Sequence, residues 1–137
     1  MSVNPTNPVL TEHEIQIRVR YQETDGQGRV HHSNFANYFE VARVEMLRAS
    51  GRNYKHLEEA GIFLVVAKIE VNYHRGAKYD DLLTIRSQVV KAKGVRITHR
   101  YEVLLDEELI VDGMTVVAAV DKEGSVVRLP DWLRLTT

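Results

Sequence analysis

Residues 21–47 read YQETDGQGRVHHSNFANYFEVARVEML. Three features follow one another in this run. Tyr21, Glu23, Thr24 and Asp25 enter a loop that carries Gly26 and Gly28, where the chain must bend sharply. His31, His32, Ser33 and Asn34 then read as a helix start, with Ser33 the expected N-cap and Asn34 the alternative. From there Phe35, Phe39, Ala42 and Met46 recur on one helical face, widened by Tyr38 and Leu47. The helix is expected to run to about Ala49, with Arg48 in its last turn and Gly51 at the left-handed C-cap position. A carboxylate beside a helix N-terminus is a useful catalytic pairing. Asp25 supplies a base or a nucleophile, and the free N–H groups of the first helical turn receive a developing negative charge.

Outward from this stretch the period changes. Before it, Ile15, Ile17 and Val19 alternate with polar residues over 14–19, which predicts a strand with one buried face. After it, a shorter helix is expected around 54–60, ended by Gly61. Residues 62–73 (IFLVVAKIEVNY) begin as a continuous apolar run, then alternate through Ile69, Val71 and Tyr73. Further strands are expected over 82–90, 95–105 and 109–121. Their breaks are Lys93-Gly94, Asp106-Glu107-Glu108 and Lys122-Glu123-Gly124. Residues 125–129 read as a short extra strand, and Pro130 opens a turn or helix carrying Trp132. Sequential strands with tight links pair antiparallel, and one long helix must cover one face of the sheet. The fold class is α+β.

Composition narrows the function. The 137 residues suit one domain, expected over 13–137 behind a mobile tail of residues 1–12. Hydrophobic residues make up 44% and charged residues 27%, as in an ordinary globular chain. A net charge of −1 supplies no overall basic field, so no nucleic-acid partner is expected. The chain has no cysteine, which excludes disulfides, thiolate nucleophiles and cysteine zinc sites. Its six histidines are scattered without metal-ligand spacing, so no metal and no cofactor are expected. No run approaches the ~20 apolar residues of a spanning helix, so no integral membrane segment is expected. The first residues, MSVNPTNPVLT, do not read as a secretory signal, and a cytoplasmic location is the expectation.

The pattern Tyr21-x-x-Thr24-Asp25-x-x-Gly28-x-Val30, then His32, then Tyr38-Phe39-Glu40-x-Ala42-Arg43 and Glu45-x-Leu47, resembles the 4-hydroxybenzoyl-CoA thioesterase-like hotdog family. Within it, the likeness is to the bacterial acyl-CoA thioesterases associated with the Tol–Pal system. The run Ala77-Lys78-Tyr79-Asp80-Asp81-Leu82 is similar too, and the resemblance spans roughly residues 15–128. It implies a hotdog fold, an antiparallel sheet wrapped around one long helix. It implies a homodimer joined sheet edge to sheet edge, often assembled into a tetramer, that hydrolyses an acyl thioester, usually acyl-CoA. The family's catalytic aspartate falls on Asp25, with further matches at Tyr21 and His32. The main-chain N–H that polarises the thioester carbonyl falls at His32. The chain departs from the family at Gly26, Gln27 and Arg29, where small or apolar residues are common, which leaves acyl preference open.

Each candidate has a plainer reading. Asp25 also suits a turn in which its carboxylate bonds its own backbone. As a catalyst it attacks the carbonyl to form a mixed anhydride, or it activates a water. The His32 side chain either assists or is only polar, whereas its amide acts independently of the ring. His31 is expected to face solvent. Tyr21 reads as a loop-packing aromatic whose hydroxyl orients polar neighbours, and Glu23 as structural. Glu40 is an alternative carboxylate, or pairs with Arg43 three residues on. Lys91, Lys93 and Arg96 flank Gly94 and form either a phosphate contact for CoA or a solvated hairpin tip. The run Phe63, Leu64, Val65 and Val66 is expected to face the other subunit's Asp25 loop, with Leu64 and Val65 as substrate-binding residues. Competing functions are hydrolysis of acyl-carrier-protein or 1,4-dihydroxy-2-naphthoyl-CoA thioesters, and a non-catalytic acyl-CoA-binding module.

Overall fold

The computed structural model describes residues 9–135. Its elements are β1 (Glu12–Arg18), a 3-10 turn (Tyr21–Glu23), α1 (Ser33–Ala49), α2 (Tyr54–Glu59), β2 (Phe63–Tyr73), β3 (Leu82–Lys93), β4 (Arg96–Leu105), β5 (Glu108–Val120) and a second 3-10 turn (Asp131–Leu133). The strands form one antiparallel sheet in the order β1-β3-β4-β5-β2. Helix α1 covers one face of it, the α+β arrangement that the change of period predicts and the hotdog arrangement that the resemblance implies.

The strand alternation sorts side chains between the helix and solvent. Leu83, Ile85, Tyr101, Val103 and Val111 meet Phe35, Tyr38, Phe39 and Ala42 of α1 in the main core. Burying a side chain of this size contributes about 2–3 kcal/mol. Phe39 stacks on Tyr101 with ring centroids 4.2 Å apart. Gly113 in β5 admits that ring: a Cβ there would lie 2.6 Å from Phe39 and 2.4 Å from the Glu70 carbonyl. Gly113 is thus a close-approach position inside a strand. A second cluster, with Leu47, Leu57, Ile97 and Val117, fills the other end of α1.

Several local expectations are revised. Residues 125–129 form no strand; they give one isolated bridge, Val120 to Val126. β3 continues through Lys93, so its hairpin turns on Gly94 and Val95, with Gly94 at φ +66°. Asp106 and Glu107 both take positive φ, so the next hairpin turns tightly without a glycine. The mobile tail expected over residues 1–12 is cut short at its inner end. Glu12 already belongs to β1, and the Leu10 N–H donates to Ser50 Oγ. Residues 1–8 of that tail lie outside the described residues. Arg43 is buried and hydrogen-bonded with Tyr54 and Tyr101, so the expected Glu40–Arg43 pair does not form; Glu40 stays in solvent.

Among the described residues β2 is an edge strand, paired with β5 alone. Its continuous apolar run suits burial on both faces, yet in the single chain Val65 is 44%, Val66 50%, Ile69 43% and Tyr73 50% exposed. Among the described residues, no helix is long and apolar enough to cross a membrane.

Candidate active site

The turn after β1 holds Asp25 by its own backbone. The Gln27 and Arg29 N–H groups donate to Asp25 Oδ1 at 2.8 and 3.2 Å. The Asp25 N–H donates to the Arg29 carbonyl at 2.7 Å, and Gly28, at φ +82°, closes the loop. Oδ1 is therefore committed to the loop, while Oδ2 accepts no bond from a described residue. The pKa of Asp25 is lowered, first by the Gln27 N–H, with slight burial acting against it and the Arg29 N–H adding to it. The turn reading and a poised carboxylate are one geometry here: the same two amides that shape the turn keep the group ionised.

Glu23 ties this loop to α1. Its carboxylate accepts from the Arg20 N–H at 2.8 Å and from the buried Tyr38 hydroxyl at 3.0 Å. Its carbonyl accepts from the His31 N–H at 2.8 Å and from Asn34 Nδ2 at 2.8 Å. Asn34 thus anchors the loop instead of capping the helix. Ser33 is not the cap either, since it is already the first helical residue. His32 occupies the cap position with φ −54° and ψ −32°, and no side chain of its own caps the helix. The His31 ring, exposed as expected, meets the Ser33 N–H through Nδ1 at 3.2 Å. Among the described residues, no acceptor meets the His32 N–H. The His32 carbonyl accepts from the Tyr73 hydroxyl at 3.0 Å.

Asp25 and His32 line one open cavity of about 340 Å³. Its other walls include Arg29, Phe35, Tyr73, Arg75 and Gly76. Gly76 lets the Arg29 side chain pass, since a Cβ there would lie 3.1 Å from Arg29 Cδ. Sequence reading missed Tyr73, Arg75 and Gly76, which sat in a strand end and a polar connection. Their only signal was the Arg75-Gly76 break after an alternating strand. A larger depression of about 840 Å³ lies across the sheet, lined chiefly by charged pairs such as Glu14 and Arg86, and by no helix start. Tyr21 stands outside the Asp25 cavity. It is 76% exposed and packs edge-on against Tyr79, and its hydroxyl bonds to no described residue.

The other expected site residues gather at the opposite end of α1. Lys93 pairs with Arg96, Arg96 with Ala118, and Ala118 with Val65, so one row crosses the sheet. Lys91 lies two rows further along that hairpin, opposite Thr98, and the Gly94 carbonyl accepts from the Leu129 N–H. Leu64 is half-buried against its own subunit's cluster with Leu47 and Leu57, on the α1 face of β2. The exposed member of the pair is Val65. Ten residues of strand separate Phe63 from Tyr73, roughly 30 Å. Within one chain, this row and the Asp25 cavity do not meet.

The thioesterase superfamily profile matches residues 27–111. The acyl-CoA thioesterase YbgC of Haemophilus influenzae is 33% identical over 77% of this chain and 78% of its own length. Among solved structures, a "probable thioesterase" of Bartonella henselae superposes with a TM-score of 0.82 at 34% identity, covering 87% of this chain and 99% of that one. The DHNA-CoA thioesterase of Staphylococcus aureus gives 0.84 at 30% identity, covering 88% and 82%. A helix laid on a five-stranded antiparallel sheet, a carboxylate loop at the helix entry, and these likenesses over most of its length agree: the chain belongs to the thioesterase superfamily and is a hotdog-fold thioester hydrolase.

Proposed function

We propose that the protein hydrolyses acyl-CoA thioesters at the Asp25–His32 cavity. The observation that carries this reading is the pairing of two groups in one cavity: an ionised carboxylate whose Oδ2 accepts no bond from a described residue, and a main-chain N–H with no acceptor among the described residues. In one branch Asp25 Oδ2 attacks the thioester carbonyl carbon. The oxyanion is stabilised by the His32 N–H, collapse expels the CoA thiolate, and water hydrolyses the mixed anhydride. In the other branch Asp25 takes a proton from the attacking water. The His32 side chain and Tyr21 are secondary to the carboxylate and the amide.

The rest of the site is proposed to come from a second copy. An antiparallel pairing of two β2 edges about a two-fold near Lys68 sets Phe63 of one chain opposite Tyr73 of the other. The Phe63–Val66 end of one chain's β2 then approaches the partner's Asp25 cavity, Leu64 lying on the cavity's face of the sheet, with the hairpin of Lys91, Lys93, Gly94 and Arg96 beyond it. Its cations suit the phosphates of CoA. The exposed apolar residues of β2 support this edge as the interface, since β1 at the other edge is short and charged.

Thiol release across a panel of acyl-CoA esters tests the reading, with DHNA-CoA and acyl-carrier-protein esters as further arms. Hydrolysis of acyl-CoA that is lost in Asp25→Asn is expected. Turnover confined to the carrier-protein or DHNA-CoA arm would move the substrate. Ligand binding without turnover anywhere would make the domain a binding module.

A further inference from the structure

Far from Asp25, a cation is buried between α1 and the sheet. Arg43 is 8% exposed and His99 of β4 is 6% exposed. Both line a cavity of about 30 Å³ whose other walls, among them Val9, Met46, Ile97 and Leu133, are largely apolar. Among the described residues, Arg43 Nε and His99 Nδ1 have no hydrogen-bond partner. No carboxylate of a described residue lies within ion-pair distance of Arg43.

We propose that this cavity is a binding site for one small monovalent anion, such as chloride, held between Arg43 Nε–H and His99 Nδ1–H. The groups around the guanidinium leave its charge uncompensated. Tyr54 and Tyr101 hydrogen-bond with it, but burial raises both phenols, so they are neutral. His99 is neutral too, its pKa pushed down to about 3 by burial and then by Arg43. A guanidinium stays charged at any working pH, and a buried charge is expensive without a counter-charge. The volume matches a single water-sized group. A water satisfies the two nitrogens but leaves the positive charge unopposed; an anion satisfies both. The bound ion ties α1 to β4 within the subunit, independently of the thioester site.

Wild-type crystals grown in sodium bromide test this directly. An anomalous peak is expected within hydrogen-bond distance of Arg43 Nε and His99 Nδ1; a water alone, or protein atoms filling the space, overturns the proposal. In solution at fixed ionic strength, replacing gluconate by chloride should raise Tm by about 3 °C or more and saturate. Equal melting in the two salts also overturns it. Arg43→Met should abolish the chloride response. His99→Leu, which keeps the charge and removes one donor, should raise the chloride midpoint about tenfold. If neither variant folds, the bromide crystal and the wild-type melts still decide.

Discussion

The Tyr73 hydroxyl donates to the His32 carbonyl at 3.0 Å, joining the end of the edge strand to the first turn of α1. Tyr73 is half exposed, so the bond adds little to stability, but it fixes the backbone beside the free His32 N–H. Tyr73→Phe is expected to lower kcat about 3- to 10-fold with KM nearly unchanged. Stability should fall by no more than about 1 kcal/mol. Unchanged kcat would show that the helix entry holds its geometry without this bond.

Asp25→Asn keeps the shape of the loop and removes the charge. Turnover should fall at least about 100-fold while binding survives. The lowered pKa, due first to the Gln27 N–H, fixes the sign of the pH dependence. A depressed carboxylate stays ionised as pH falls through the ordinary value, so the acid limb of kcat/KM should lie below pH 3.8. In a single turnover in ¹⁸O-water, label entering Asp25 marks an anhydride opened at the aspartyl carbon; label only in product fits both water activation and an anhydride opened at the acyl carbon, which trapping of the aspartyl anhydride then separates.

Ser33→Pro places proline immediately after His32, whose φ −54° and ψ −32° are the helical values that proline disfavours in its predecessor. We expect turnover to drop more than tenfold, with a smaller fractional change in Tm. His32→Ala leaves the amide in place and should cost less than Asp25→Asn. Equal losses would assign the chemistry to the imidazole.

The shared site can be tested by complementation. Leu64→Trp is the blocking variant, because Leu64 lies on the α1 face of β2, as the Asp25 cavity does, whereas Val65 points to the opposite face. Each of Asp25→Asn and Leu64→Trp should be nearly inactive as a homodimer. Refolding an equal mixture makes half the dimers mixed, each with one site free of both lesions, so about a quarter of all sites recover. Mixed dimers that form without recovered activity would sink the assignment of Leu64 to the opposing site.

His99 predicts an acid sensitivity unrelated to catalysis. Its folded pKa of about 3 lies below the ordinary 6.5, so its contribution is complete above pH 6.5. The contribution shrinks as pH falls toward 3, because only the unfolded chain takes up the proton. Urea melts should show up to about 1.4 kcal/mol lost per pH unit in that window, beyond the carboxylate effect. His99→Phe should flatten that slope; an unchanged slope would mean that His99 titrates normally.

Sequence by itself determined the elements and where the carboxylate loop sits among them. Phe35, Phe39, Ala42 and Met46 mark α1 because a helix places i, i+4 and i+7 on one face. Gly28 and Gly51 mark turns because their φ is positive. These are local rules, legible in a few consecutive residues. Other features depend on residues far apart in the chain. Gly113 looks like any strand residue until Phe39 arrives from 74 positions away, and Arg43 looks like the partner of Glu40 until the sheet buries it. The helix entry belongs to the same class: Ser33 had the chemistry of a cap, but the tether from Asn34 to Glu23 and the bond from Tyr73 to His32 bind that entry to distant segments. Only the tertiary structure decided that Val65, Arg96 and Lys93 share a row, and that the row lies at the far end of the helix from Asp25. Strand register sets that placement. It depends on cross-strand hydrogen bonds and on bulges such as that between Val66 and Lys68, which the alternation of side chains along a single strand does not encode.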